Sequence, residues 1–246
     1  MADIRDIEVV VFDVLGTLVD EPGGLRAGIS EAVPAADEAA VDALLTLWQR
    51  HIEDEQRRIV EGGRKYVNSE ILDREAAQRV ADSAASAERA GSADSAASAG
   101  SADPAVLARL ATAGQRLAAW GDTVAGLERI ARQLPVIALS NAGHTALLRL
   151  SAYAGLRWHQ ALSGETVQAY KPSPEIYRLA FDTAGCPPDR VLMVAAHSWD
   201  LRGAQTAGMR TAYVQRPIGD SPTAADAFDW RFDGLDGLAA ALEARR

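Results

Sequence analysis

The chain has 246 residues, a formal net charge of −9, 48% hydrophobic residues and 24% charged residues, an ordinary composition for one globular domain or for a core with a smaller insert. The acidic balance disfavours binding to a nucleic-acid backbone, and no apolar run is long enough to span a bilayer. The single cysteine, Cys186, excludes an internal disulfide and a cysteine-built metal cage. Because the N-terminus is acidic and lacks an apolar stretch, it argues against a secretory signal. We therefore expect a cytoplasmic protein with neither nucleic acid nor a membrane as partner.

The first predicted elements are a buried strand and a long helical region. Residues 8–12 form a β-branched apolar run without polar alternation, which is typical of a strand covered on both faces. Residues from about 36 to 90 have a helical pattern, interrupted at Gly62-Gly63 and resuming near Asn68. One apolar face of this region carries Val41, Leu44, Leu45 and Trp48.

An abrupt change of composition follows. Residues 81–103 consist almost entirely of Ala, Ser, Gly, Asp and Glu, and the sequence of 81–87 recurs at 93–99. We predict a low-complexity, Ala/Ser-rich loop here, helical in part through its alanines. The segment lacks the apolar side chains that it would need to fold by itself.

Beyond this loop, apolar strands alternate with helices, a pattern that favours a mainly parallel sheet. The predicted strands are 136–139, 161–164, 191–196 and 211–214, and the predicted helices are 105–118, 123–133, 145–154, 174–184 and 201–207, the last ending at Gly208. Because the strands resume only after a long helical stretch, we predict an α/β fold with a Rossmann-like, doubly wound sheet. Its core would comprise residues 1–19 and 112–246, and residues 20–111 would form a helical insert.

Polar residues follow three of the predicted strands, where reactive groups gather in an open parallel sheet. They are Asp13 with Thr17, Ser140 with Asn141, and the segment 197–200, and Lys171 is a fourth candidate. Each alone is weak evidence, since such residues are more often turn formers, helix caps or surface residues. Their combination and order predict a catalytic site.

These segments resemble the motifs of the haloacid dehalogenase superfamily in the same order, and the helical insert is similar to its cap domain. The resemblance covers nearly the whole chain apart from the Ala/Ser-rich loop, and it implies a hydrolase with a covalent aspartyl intermediate. It implies that Asp13 is the nucleophile and that a neighbouring Lys171 keeps it ionised. It also implies that Ser140 and Asn141 bind an anionic group of the substrate or intermediate. The segments are Phe12-Asp13-Val14-Leu15-Gly16-Thr17-Leu18, Leu139-Ser140-Asn141, Lys171-Pro172 and Val194 to Asp200.

The resemblance also separates two chemistries within the superfamily. Its magnesium phosphatases have a second aspartate at the position of Leu15 and a Gly-Asp pair at the positions of Ala195 and Ala196. Apolar side chains neither ligate a hard cation nor protonate a leaving group, so we expect no metal and no other cofactor. A halide leaves without a proton, and the sequence is most similar to the 2-haloacid dehalogenase branch. This similarity implies that Asp13 displaces halide from a short 2-haloacid and that hydrolysis of the aspartyl ester gives a 2-hydroxy acid.

The chain departs from that branch at the halide site. Leu15 replaces a tyrosine, and the arginine expected directly after Trp48 is replaced by Gln49, with Arg50 one residue late, a turn of about 100° around a helix. Two alternatives therefore stay open: a related hydrolase of another non-phosphate carbon electrophile, and a non-catalytic binding protein with the same fold.

Roles at the predicted site can be divided into water activation and substrate binding. His197 and Asp200 are the two candidates for the base that activates the hydrolytic water. The branch further implies a small-molecule acid as substrate and a homodimer as the assembly. The candidates for substrate binding are Leu15, Thr17, Asn141, Gln49, Arg50 and Trp199.

Overall fold

A computed structural model describes residues 3–91 and 103–244. Its strands are β1 (Val9–Phe12), β2 (Val136–Ser140), β3 (Gln160–Ser163), β4 (Val191–Ala195), β5 (Arg210–Val214) and β6 (Trp230–Phe232). They form one sheet in the order β3-β2-β1-β4-β5-β6, and every neighbouring pair is parallel. This is the strand order of a doubly wound sheet, and it confirms the predicted fold class.

Helices fill the intervals between the strands and one long insertion. They are α1 (Glu21–Ala32), α2 (Glu38–Val60), α3 (Ser69–Gly91), α4 (Pro104–Leu110), α5 (Thr123–Ala131), α6 (His144–Ala154), α7 (Pro174–Ala184), α8 (Ser198–Thr206) and α9 (Leu235–Glu243). Within the described ranges, none of them is both long and apolar enough to cross a membrane.

Strand β1 is buried on both faces of the sheet. Val10 and Phe12 pack into a core with α5, α6 and α9, whereas Val9 and Val11 pack into a second core with α7 and α8. Because successive side chains of a strand point to opposite faces, a strand covered on both sides is apolar at every position. This central strand delivers Asp13 to the carboxyl edge of the sheet.

Helices α1 to α4 lie between β1 and β2 in the chain and form a cap with a core of its own. Leu25 and Ile29 of α1 pack there against Val41, Leu44 and Trp48 of α2, together with Ala76, Ala77 and Val80 of α3. The apolar face that the sequence predicts for α2 is thus the face that builds the cap core. The division of the chain at residues 20 and 111 stays a prediction.

The two segments that join the cap to the sheet run side by side, and we refer to them as the linker ribbon (residues 16–20 and 118–120). Val19 and Ala119 form an antiparallel bridge. The backbone N–H of Trp120 donates to the Leu18 carbonyl over 3.1 Å, and its indole Nε1 donates to the Gly16 carbonyl over 3.0 Å. The ribbon therefore begins within the loop that carries Asp13.

The low-complexity segment predicted at 81–103 is helical in its described part, as its alanines predict, since α3 continues to Gly91 and alanine is the best helix former; residues 92–102 lie outside the described ranges. Other predicted boundaries are wrong. The helix predicted at 105–118 ends at Leu110 and is followed by a short 3₁₀ turn at Ala113–Gln115. Gly208, by contrast, follows α8 with φ +89°, as its predicted capping role requires.

Three elements have no counterpart in the sequence-based prediction: α1, β6 and α9. Helix α1 contains Gly23, Gly24 and Gly28, each unfavourable inside a helix by roughly 1 kcal/mol relative to alanine. Burial of Leu25 and Ile29 in the cap core stabilises this helix. The local sequence of this segment therefore does not predict the helix that it forms.

Candidate active site

Asp13 follows the last residue of β1, and its carboxylate is held from two sides. Its Oδ1 accepts a hydrogen bond from Lys171 Nζ over 2.9 Å, and its Oδ2 accepts one from Thr17 Oγ1 over 2.7 Å. Its backbone N–H donates to the Val194 carbonyl over 3.0 Å, so the β1–β4 pairing extends to Asp13. With 9% of the side chain exposed, the carboxylate is fixed but reachable.

Thr17 connects two strand ends. It is fully buried, and its hydroxyl donates to Asp13 while accepting from the Ala196 backbone N–H over 2.9 Å. The tight turn between Asp13 and Thr17 needs Gly16, which has φ +75° and whose Cβ, if present, would lie 2.6 Å from His197 Nε2. Thr17 thus fixes the Asp13 carboxylate against the end of β4.

Lys171 lies between two carboxylates. Its Nζ donates to Asp200 Oδ2 over 2.7 Å as well as to Asp13, and the side chain is 1% exposed. Burial by itself would lower the pKa of Lys171, but the charges of Asp13 and Asp200 outweigh it and raise the pKa above its usual value. The lysine therefore stays an ammonium ion shared by both acids.

Asp200 has both carboxylate oxygens engaged. Oδ2 accepts from Lys171, and Oδ1 accepts from the Tyr177 hydroxyl over 2.7 Å. Burial and then the charge of Asp200 raise the pKa of Tyr177, so the phenol keeps its proton and remains the donor. Asp200 is fully buried, and its role in this geometry is to hold Lys171.

Ser140 is the last residue of β2, on the neighbouring side of Asp13, and Asn141 follows it. The Ser140 hydroxyl oxygen accepts from the Ala142 backbone N–H over 3.1 Å, which leaves its own proton available to a ligand. The Asn141 side-chain oxygen accepts from the Lys171 backbone N–H over 2.8 Å, and its amide donates to Gln56 Oε1 of the cap over 3.0 Å. Asn141 therefore ties the lysine segment and the cap together.

His197 precedes α8 and packs over the loop after Asp13. Its Nε2 lies 3.2 Å from the Leu15 carbonyl oxygen. A carbonyl only accepts, so Nε2 is the donor in this contact. The ring also contacts Trp199, with ring centroids 5.9 Å apart.

A cavity of about 900 Å³ opens above these residues, between the core and the cap. Its core-side wall contains Asp13, Leu15, Ser140, Asn141, Lys171, His197 and Trp199. Its cap-side wall includes Trp48, Gln49, Glu53, Gln56, Arg57 and Asp73, together with Glu21 at the start of α1. The motifs thus converge on one solvent-accessible space that ends at a fixed carboxylate.

The family follows from these motifs and from a match along most of the chain. A family model of haloacid dehalogenase-like hydrolases matches residues 7–208. The chain belongs to this family of hydrolases. This membership confirms the resemblance that the motifs predict.

The individual members that resemble the chain are named as 2-haloacid dehalogenases. (S)-2-haloacid dehalogenase H-109 of Pseudomonas putida is 29% identical over 230 residues, which span 89% of this chain and 93% of that protein. The solved structure of the defluorinating L-2-haloacid dehalogenase Rha0230 superposes with a TM-score of 0.80 and 28% identity, covering 96% of this chain and 95% of that one. The L-2-haloacid dehalogenase PA0810 gives a TM-score of 0.80 and 27% identity, covering 96% and 99%. The predicted branch of the family is thereby confirmed.

Arg50 is not brought to the site. Gln49 lines the catalytic cavity, whereas Arg50 is exposed and lines a separate cap cavity of about 580 Å³ beside Leu47 and Ser83. The displacement by one residue along α2 accounts for this, because it turns the side chain by about 100°. Thr17 and Asp200 also lie behind the cavity wall, where they hold Asp13 and Lys171.

Several functional neighbours are missing from the sequence-based prediction. Tyr177 holds Asp200, and Arg216 donates from Nε to the Thr17 carbonyl and from Nη1 to Asp122 Oδ1, both over 2.8 Å. Glu21 and Asp73 line the cavity. The helical periodicity of α7 predicts that Tyr177 is buried, but no sequence signal predicts its acceptor.

Residues at the magnesium positions of the family's phosphatases do not fit a metal here. Leu15, Ala195 and Ala196 offer no side-chain oxygen, and hard cations need oxygen ligands. Within residues 3–91 and 103–244, no group of three or more His, Cys, Asp or Glu side chains is arranged to hold a metal ion.

Proposed function

We propose that this hydrolase dehalogenates 2-haloacids without a metal and uses Asp13 as its nucleophile. The observation that carries the proposal is the Asp13 carboxylate, fixed by Lys171 and Thr17 at the floor of the cavity, next to an apolar Leu15 where a phosphatase has its acid. The dehalogenase names of the relatives support the same chemistry.

In the first step, Asp13 attacks C2 of the haloacid. One carboxylate oxygen forms a bond to C2 while the carbon–halogen bond breaks, and the halide leaves with the bonding electron pair. No proton is needed, which agrees with the apolar Leu15. The Ser140 hydroxyl, which donates to no residue of the described ranges, would donate to the substrate carboxylate.

In the second step, water attacks the ester carbonyl carbon of Asp13. The carbon–oxygen bond within the ester breaks on the carbonyl side, so the 2-hydroxy acid leaves with an oxygen from Asp13 and the carboxylate is restored with an oxygen from water. The overall change is haloacid plus water to hydroxy acid, halide and one proton. We propose His197 as the base for this step because its side chain lines the cavity and imidazole is the most frequent general base, whereas Asp200 is buried with both oxygens occupied.

The nucleophile is tested by isotope transfer. Under single turnover with 2-chloropropionate in H₂¹⁸O, mass spectrometry of the peptide containing Asp13 should show one ¹⁸O, and the product should carry protein oxygen. Asp13→Asn should release no chloride. If no short 2-haloacid releases chloride at high enzyme concentration, the dehalogenase function is wrong while the fold stands.

The base is tested by trapping the ester. His197→Gln should accumulate the alkylated Asp13 peptide after rapid quenching, because ester formation proceeds and hydrolysis stalls. Wild-type protein under the same quench should show little ester. Accumulation in Asp200→Asn together with normal turnover of His197→Gln would instead make Asp200 the base.

The oligomeric state and the cellular location also remain predictions. The resemblance predicts a homodimer, which sedimentation equilibrium would detect as about twice the 26.1 kDa chain mass. The composition predicts a cytoplasmic location, which fractionation of the source cell would test.

A further inference from the structure

Two carboxyl groups on the cap side of the catalytic cavity have no partner among the residues that the structure describes. Glu21 is the first residue of α1, and Asp73 lies in α3; both line the same cavity as Asp13. Neither side chain makes a hydrogen bond or an ion pair with any residue in 3–91 or 103–244. We call these two groups the cap carboxylates, and Glu53 of α2 adds a third acid to the same wall.

Their surroundings oppose ionisation. Burial raises the pKa of Glu21 to about 7, the charge of His197 opposes this rise, and the charges of Asp13 and Glu53 add to it. Burial also raises the pKa of Asp73 well above its usual value, and Glu21 is the next contributor. A cation placed beside carboxylates in such an environment stabilises their ionised form.

The cations already on the cavity wall are committed elsewhere. Lys171 is shared by Asp13 and Asp200. Arg57 lines the cavity but forms an ion pair with Asp54 on the surface of α2. Among the described residues, the cap carboxylates therefore face the ligand space without a permanent positive partner.

The size and lining of the cavity point to a ligand larger than a short haloacid. A cavity of about 900 Å³ is in the range of roughly 300–1,000 Å³ that holds ligands of drug size, far more than 2-chloropropionate fills. The exposed Trp199 lines it as well, and indole faces attract organic cations. The acidic side chains and this aromatic side chain therefore line the same cavity.

We propose that the cap carboxylates bind an ammonium group at the far end of the substrate. The substrate class is then a 2-haloacid with an extended chain that carries a positive charge, so that its carboxylate meets the core and its cation meets the cap. This inference rests on the proposed dehalogenation for the haloacid end only. A bound metal ion is not the alternative, since the described residues provide no group of three ligands.

The first test measures binding without chemistry. Unhalogenated carboxylic acids of graded chain length that end in a trimethylammonium group are titrated calorimetrically against the wild-type protein, beside neutral isosteres that end in a tert-butyl group. At the best chain length, the cationic acid should bind at least about tenfold more tightly than its isostere. Equal or tighter binding of the neutral isosteres at every length would overturn the proposal.

Matched variants locate the cation site. Glu21→Gln and Asp73→Asn, singly and together, keep side-chain size while removing charge, and the double variant should reduce the preference to within about twofold. Glu61→Gln, at an exposed residue outside the cavity, should keep the full preference. A preference that survives in the folded double variant, checked by circular dichroism, would also overturn the assignment, and each single variant gives the same test if the double variant does not fold.

The second test adds the halogen and separates the two proposals. The 2-chloro derivatives of both series are compared by chloride release, and the quaternary nitrogen prevents internal displacement of the chloride. The kcat/KM of the cationic substrate should exceed that of its isostere at least about tenfold, and the excess should vanish in the double variant. Cation-selective binding without any chloride release would refute dehalogenation and leave the cation site standing, whereas turnover without cation preference would do the reverse.

Discussion

The Lys171 ammonium lies 2.9 Å from the Asp13 carboxylate, although 158 positions separate the two residues in the chain. The same nitrogen bonds Asp200 over 2.7 Å. Two buried carboxylates thus depend on a single buried cation. The cation that pairs with Asp13 also holds the two strand ends together, so its loss should affect both stability and the proposed catalysis.

Replacement of Lys171 should harm both properties. Lys171→Met leaves Asp13 and Asp200 without a counter-charge, and removal of one partner from a buried ion pair typically costs about 3–5 kcal/mol. We expect a loss of this size in urea unfolding and a fall in kcat of at least about a hundredfold. Lys65→Met, at the exposed second lysine of the chain, is the matched control and should change neither.

Thr17 should matter through geometry. Thr17→Val keeps the shape but removes the donor to Asp13 and leaves the buried Ala196 N–H unpaired, which typically costs about 1–3 kcal/mol. We expect that destabilisation together with a kcat lowered more than about tenfold and a KM nearly unchanged, since the substrate wall is intact. Thr46→Val, at an exposed helical residue whose hydroxyl bonds only the Asp42 carbonyl, should leave kcat at its wild-type value.

The two arginines of α2 should differ in their effect on a short haloacid. Arg57 lines the catalytic cavity and Arg50 lines the other one. Arg57→Met should lower kcat/KM for 2-chloropropionate by about threefold to tenfold, and less at high salt, because a cation near the entrance attracts an anionic substrate. Arg50→Met should leave it within about twofold. A larger effect at Arg50 would show that its side chain reaches the substrate.

Glu21 should make stability fall as pH rises. Its pKa of about 7 in the folded chain exceeds its usual 4.5, so the folded state binds more protons than the unfolded state between these values, and stability decreases through that window. Glu21→Gln removes this contribution, and its Tm should exceed that of the wild type by a few degrees above pH 7 and by little below pH 4.5. His197, Asp13, Glu53 and Asp73 act on Glu21, so Glu61→Gln serves as the control with an unchanged pH profile.

The sequence predicts those site residues that sit directly at strand ends. Asp13 and Ser140 follow apolar runs whose strand character is unambiguous, and the parallel sheet brings such ends to one edge. Tyr177 is different, because periodicity reveals that its helix face is buried but not that its hydroxyl meets Asp200, 23 positions away. The direction in which Arg50 points from α2 depends likewise on how Trp48 packs in the cap core.

Glu21 escapes prediction for a related reason. An acidic residue in the first turn of a helix is ordinary, since it complements the helix dipole, and nothing local indicates that it faces a cavity. Helix α1 itself is hidden by its glycines. The sequence alone does not identify side chains that face the cavity only because the cap packs against the core.

The linker ribbon ties the cap to the turn that carries Asp13. The two segments that join the cap to the sheet are bonded to each other, and the indole of Trp120 donates to the Gly16 carbonyl in the turn after Asp13. Because of these bonds, we expect that a displacement of the cap would also strain the turn that positions the Asp13 carboxylate.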